Sequence, residues 1–152
     1  MSADVLSVIP TDPQWRPDAA AAERARALAA EFLGEDDGAE LELTWHDRTA
    51  PVDCGANLER IGCPHCGGAV PLGWWSDLME EHADGGFATL AVTVPCCGAA
   101  TTLDALEYHW PCGFARFELE VWDPEQPWFT EAQLAALAMA LGHPVRQIRA
   151  HL

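Results

Sequence analysis

The sequence predicts an α+β domain, and three observations carry that expectation. A short β-type run, a helix and an alternating strand occur in that order before residue 48. The same order of signals returns after residue 112. All six cysteines fall between these two flanks.

In the first flank, "VLSVIP" is a short apolar run of β type, closed by the Pro-rich turn "TDPQWRP". "DAAAAERARALAAEFLG" then reads as a helix. Asp18 is its N-cap, Ala21, Ala25, Leu28 and Phe32 recur at helical spacing, and Gly34 ends it. Leu41, Leu43 and Trp45 alternate with Glu42, Thr44 and His46, the pattern of a half-buried strand.

In the second flank, Phe117, Leu119 and Val121 alternate with Arg116, Glu118 and Glu120, again a one-sided strand. The helix that follows carries a capping box, Thr130 with Gln133, and a hydrophobic staple from Phe129 to Leu134; Gly142 stands just past its end. The closing "PVRQIRAHL" fits a strand through Ile148, Ala150 and Leu152. Its Val145, Ile148 and Leu152 also fit a helix.

Two β-α-β units can close into one four-stranded sheet with both helices on one face, the ferredoxin-like arrangement, with right-handed crossovers. Residues 1–152 then make a single domain, and residues 48–112 are an insertion between its second and third strands. Within that segment "WWSDLMEEHADGG" reads as a helix ending at Gly85 and Gly86. "FATLAVTV" follows as a strand that puts Leu90, Val92 and Val94 on one side and leads directly to Cys96.

Composition limits what the chain can do. With 152 residues, 49% of them hydrophobic, and seven Trp, it can bury a core without covalent staples. The start "MSADVLSVIPTDPQW" lacks the basic and apolar regions of a secretory leader, and no apolar run is long enough to span a bilayer, so a cytoplasmic protein is expected. All eight basic residues are Arg; together with the abundance of Ala this points to a high-GC bacterial coding bias. A formal charge of −16, with Arg scattered from Arg16 to Arg149, repels nucleic acid and anionic membranes and favours a basic protein as partner.

In a reducing compartment, paired cysteines point to a metal or to redox chemistry rather than to disulfides. "CPHCGG" begins at Cys63 and "PCCG" at Pro95. Pro64 presets the first turn and Gly67 lets the backbone leave it. These two stretches resemble the zinc knuckles of zinc-ribbon proteins, a resemblance confined to Cys63–Gly68 and Pro95–Gly98. It implies a structural four-cysteine zinc held by Cys63, Cys66 and Cys97, with Cys96 as fourth ligand; Cys112, Cys54, His65, His82 and His109 are the alternatives. The second stretch departs from the family, since Val94 stands where its first cysteine belongs.

Two other readings compete. Cys63 and Cys66 can be a dithiol redox pair, although the next helix begins several residues later, unlike a thioredoxin-type site. An enzyme would gather His46, Asp53 and Cys54 in one cleft. Cys54 and Cys112 otherwise read as small core residues. The leading expectation is an acidic zinc protein that acts as an interaction module, adaptor or toxin antidote, towards a basic partner. Its acids concentrate around Glu35–Glu42, Asp77–Asp84 and Asp123.

Overall fold

The structure, a computed structural model, describes residues 3–34, 37–52, 59–109 and 112–151. Its elements run β1 (Asp4–Pro10), α1 (Ala19–Leu33), β2 (Glu40–Val52), β3 (Ile61–Gly62), α2 (Leu72–Glu81), β4 (Ala91–Thr93), β5 (Ala100–Thr102), a 3-10 turn (Leu103–Ala105), β6 (Glu107–Tyr108), β7 (Gly113–Trp122), α3 (Glu131–Leu141) and β8 (Val145–His151). The fold is mixed α+β, with three helices and a four-stranded antiparallel sheet among the described residues.

The sheet has the order β2-β7-β1-β8. β7 pairs with β2 on one side and β1 on the other, in registers such as Leu43 with Leu119 and Val8 with Leu119. β8 pairs with the outer side of β1 from Asp4–His151 to Pro10–Val145, which resolves the helix-or-strand ambiguity at the C-terminus in favour of a strand. Strand pairing satisfies backbone groups of β1 that a terminal helix would leave open.

One face of the sheet packs on α1 and α3. Leu6, Val8, Phe117, Leu119 and Val121 meet Ala22, Ala25 and Ala29 of α1 and Leu137 and Leu141 of α3. The small Ala seam lets α1 pack closely, while Leu28 and Phe32 flank it partly buried. Both helix starts form as the sequence dictates. Asp18 accepts the Ala21 N–H, and Thr130 and Gln133 complete a reciprocal capping box. Gly142 takes a left-handed conformation, φ 87°, to end α3.

The opposite face joins a second core. Ile9, Val52, Phe114 and Ile148 from the sheet pack with Ile61, Val70, Trp75, Phe87, Leu90, Val94, Leu103 and Leu106 from the segment between β2 and β7. Each fully buried residue of this size contributes about 1.5–3 kcal/mol. Gly113 keeps this junction close, because a Cβ there would meet Ile148 Cδ1 at 2.5 Å and Ile9 Cδ1 at 2.7 Å. The expected strand over residues 87–94 shortens to β4, yet the alternation holds: Leu90 and Val94 are buried, Ala91 and Thr93 exposed.

Two departures concern β2. Trp45 is 39% exposed rather than buried; it lies 5.2 Å from Phe117, ring to ring, and its indole N–H donates to Pro17 O. The pairing of β2 with β7 also shifts register between Trp45 and Ala50. The Arg116 guanidinium clips this irregular stretch by donating to the carbonyls of His46 and Asp47. Here the segment docks on the sheet, with Phe87 N–H donating to Thr49 O at 2.7 Å. No described helix is long and apolar enough to cross a membrane.

Candidate metal centre

Two hairpin tips carry the cysteines. Residues 63–68 link β3 to a backbone bridge between Gly62 and Ala69, and residues 94–99 link β4 to β5. Both tips make the same pair of backbone hydrogen bonds. In the first, Gly67 N–H donates to Cys63 O at 3.0 Å and Cys63 N–H to Gly68 O at 2.9 Å. In the second, Gly98 N–H donates to Val94 O at 2.9 Å and Val94 N–H to Ala99 O at 3.0 Å. Gly67 and Gly98 both take positive φ, 71° and 74°, which a side chain would resist.

Val94 is therefore the structural counterpart of Cys63, Cys97 of Cys66, and Cys96 of His65. Both first positions are buried, Cys63 at 1% and Val94 at 0% exposure. Val94 spends that position on the core, so the second tip presents its extra sulfur from the turn itself.

The four sulfurs of Cys63, Cys66, Cys96 and Cys97 lie within 4.8 Å of one another and can hold a metal ion. Across the tips, Cys63 Sγ is 3.8 Å from Cys97 Sγ, and Cys66 Sγ is 3.6 Å from Cys96 Sγ. A tetrahedron with Zn–S bonds of about 2.3 Å has edges of about 3.8 Å, and these two cross-tip separations match such edges. Three of the four cysteines are exposed and Cys63 is buried.

Backbone donors are aimed at the sulfurs of the first tip. Cys63 Sγ accepts from the N–H groups of His65 and Cys66, and Cys66 Sγ from Gly68 N–H. Led by the Cys66 N–H, the donors to Cys63 lower its thiol to about 6. Withdrawal of its sulfur from water, then contact with the Cys66 and Cys63 sulfurs, pushes Cys96 up to about 12. The Cys97 thiol is also raised: the Ala99 N–H favours its thiolate, but burial and the two facing sulfurs outweigh it. Four anions so close repel one another, and a divalent cation removes that conflict.

Among the described residues, none of the alternative ligands joins the four-sulfur group. Cys112 is buried with its thiol directed at Val52 O. His82 bonds Leu78 O through Nδ1 and stacks on Phe87 at 4.3 Å. His65 and His109 are exposed. Cys54 and Asp53 lie outside the described residues. His46, their partner in the enzyme reading, donates from Nε2 to Glu118 at 2.7 Å, and that carboxylate raises the imidazole's pKa.

His46 also borders a groove of about 480 Å³ beside the irregular stretch of β2, shared with Trp45, Asp47, His82 and Asp84. No local pattern in the sequence marks this groove. Its walls come from two separate stretches of the chain, β2 and the turn after α2, and only the strand break "WHDRTAP" hints at it.

No protein family, curated protein or solved structure matches this chain.

Proposed function

We propose that Cys63, Cys66, Cys96 and Cys97 bind one zinc ion in a structural role, and that the chain is an acidic interaction module for a basic protein. The observation that carries this reading is the closeness of four sulfurs, all within 4.8 Å of one another, on two matching tips. An all-thiolate set leaves no open position for a reactant, unlike catalytic zinc. The sheet order, with strands of the two flanks interleaved, supports a ferredoxin-like scaffold in which residues 48–112 form a zinc-binding insertion.

The charge supports the second half. With 24 acids against eight Arg, the surplus exceeds the net charge of about 2–8 that keeps a small domain soluble. Asp77, Glu80, Glu81 and Asp84 are exposed together on α2 and the turn after it. Such a surface steers a cationic partner and speeds its association at low salt.

Elemental analysis after gentle purification tests the metal: one zinc per chain is expected, and none would end the reading. Association with a basic partner from the host is expected to slow steeply as salt rises. Glu80→Gln with Glu81→Gln is expected to weaken it without moving the melting temperature. Equal binding at low and high salt would refute the steering.

A further inference from the structure

The metal is not the only link the two tips can form. Each sulfur has a close sulfur neighbour on the other tip: Cys66 with Cys96 at 3.6 Å, and Cys63 with Cys97 at 3.8 Å. A dithiol of the Cys-x-x-Cys kind would instead join Cys63 to Cys66. Cys63 is buried and held by two N–H donors from its own turn, whereas Cys66 and Cys96 are both exposed.

We propose that Cys66 and Cys96 are an oxidant-sensitive pair that closes into a cross-tip disulfide, expels the metal and leaves the two tips joined. The proposal rests on the metal reading only for the expulsion; the disulfide needs the sulfur geometry alone.

The oxidant is a hydroperoxide. The Cys66 thiolate attacks the outer peroxide oxygen, the O–O bond breaks, and the departing alkoxide takes a proton to become an alcohol. Cys66 is then a sulfenic acid. The Cys96 sulfur attacks that sulfur as its thiol proton passes to the departing hydroxide, the S–S bond forms, and water leaves. Two thiols are oxidised by two electrons and the peroxide is reduced by two, giving disulfide, alcohol and water.

With two of four ligands consumed, Cys63 and Cys97 cannot complete a tetrahedron, and the ion leaves. These two sulfurs then stand as a second pair for a further equivalent of oxidant. Either disulfide ties residues 63–68 to residues 94–99, as the ion does. Oxidation therefore exchanges one cross-link for another, and the second core keeps its closure.

The experiment treats metal-loaded and chelator-stripped full-length protein with cumene hydroperoxide. Metal in the filtrate is measured, disulfides are assigned by fragment-ion mass spectrometry, and melting curves are recorded. Cys66–Cys96, alone or with Cys63–Cys97, is expected in both samples, with release of the ion from the loaded one and reversal by a thiol reductant. The oxidised, metal-free protein is expected to melt near the loaded form and above the reduced, stripped form. A Cys63–Cys66 or Cys96–Cys97 bond, sulfinic acid without disulfide, or an oxidised form that melts with the reduced stripped one would overturn the proposal.

Double variants guard against misassignment. Cys63→Ser with Cys97→Ser leaves only the exposed cross-tip pair and is expected still to form its disulfide; Cys66→Ser with Cys96→Ser is expected to need more oxidant. A protein that never carries zinc yet forms the cross-tip bond refutes the metal reading and keeps this one. A zinc-bearing protein that never forms it does the reverse.

Discussion

The two cores of this protein are built by different means. The helix side of the sheet draws on strands of seven to thirteen residues and two capped helices. The cysteine-bearing side is held by strands of two or three residues and one helix without a side-chain cap. Long strands and helices supply their own hydrogen bonds and apolar faces. Strands of two or three residues supply few of either, and the proposed metal between their tips would substitute for length.

Removing the cross-link should give the largest difference between the two sides. If the four sulfurs hold a metal as proposed, its chelation, or Cys66→Ser, is expected to raise amide exchange across residues 59–109 by orders of magnitude while β1, β7 and β8 stay protected. Uniform loss of protection everywhere would show that the two cores stand or fall together.

Phe117→Ala attacks the other side. Phe117 is fully buried among Leu6, Leu119 and the α1 seam, and its truncation is expected to cost about 3–5 kcal/mol in denaturant melts. Because the cysteine-bearing side leans on the same sheet, it should unfold in the same transition. A smaller and entirely local effect belongs to Thr130→Ala, which removes the α3 cap and is expected to cost about 1 kcal/mol.

The smallest expected effect is on pH dependence. Glu118 raises the His46 imidazole above its ordinary value, so the pair stabilises the fold fully below the unfolded-state value of about 6.5. That stability is lost as pH rises through the higher folded-state value. The pair is part-exposed, so the gain is under about 1 kcal/mol. His46→Gln is expected to flatten the loss of thermal stability as pH rises above about 6.5, as read by differential scanning fluorimetry.

Local chemistry was legible in the sequence. Asp18, Thr130 with Gln133, and Gly142 announce helix ends because caps are decided within about four residues. The cysteine tips are equally local, and the departure at Val94 already marked the second tip as unlike the first. What depends on distant partners was not legible. Trp45 follows the strand alternation yet stands exposed, because Pro17 and Phe117 receive it at the rim. The Arg116 clip and the His46–Glu118 pair join residues 69 and 72 positions apart. The final strand fitted two periodicities until β1 offered its open edge.

The interleaving of the sheet has a consequence for how the chain is made. β1 and β2 are not neighbours; β7 lies between them, and β8 flanks β1 on the outside. When the ribosome has released β1, α1 and β2, neither strand has its partner, and the Ala seam of α1 has no Phe117 or Leu119 to cover. The sheet cannot close until β7 emerges, after the cysteine tips have already been synthesised. The pairings within residues 61–108 need nothing made later, whereas the sheet, and with it the Phe114 and Ile148 that complete the second core, must wait for the C-terminus.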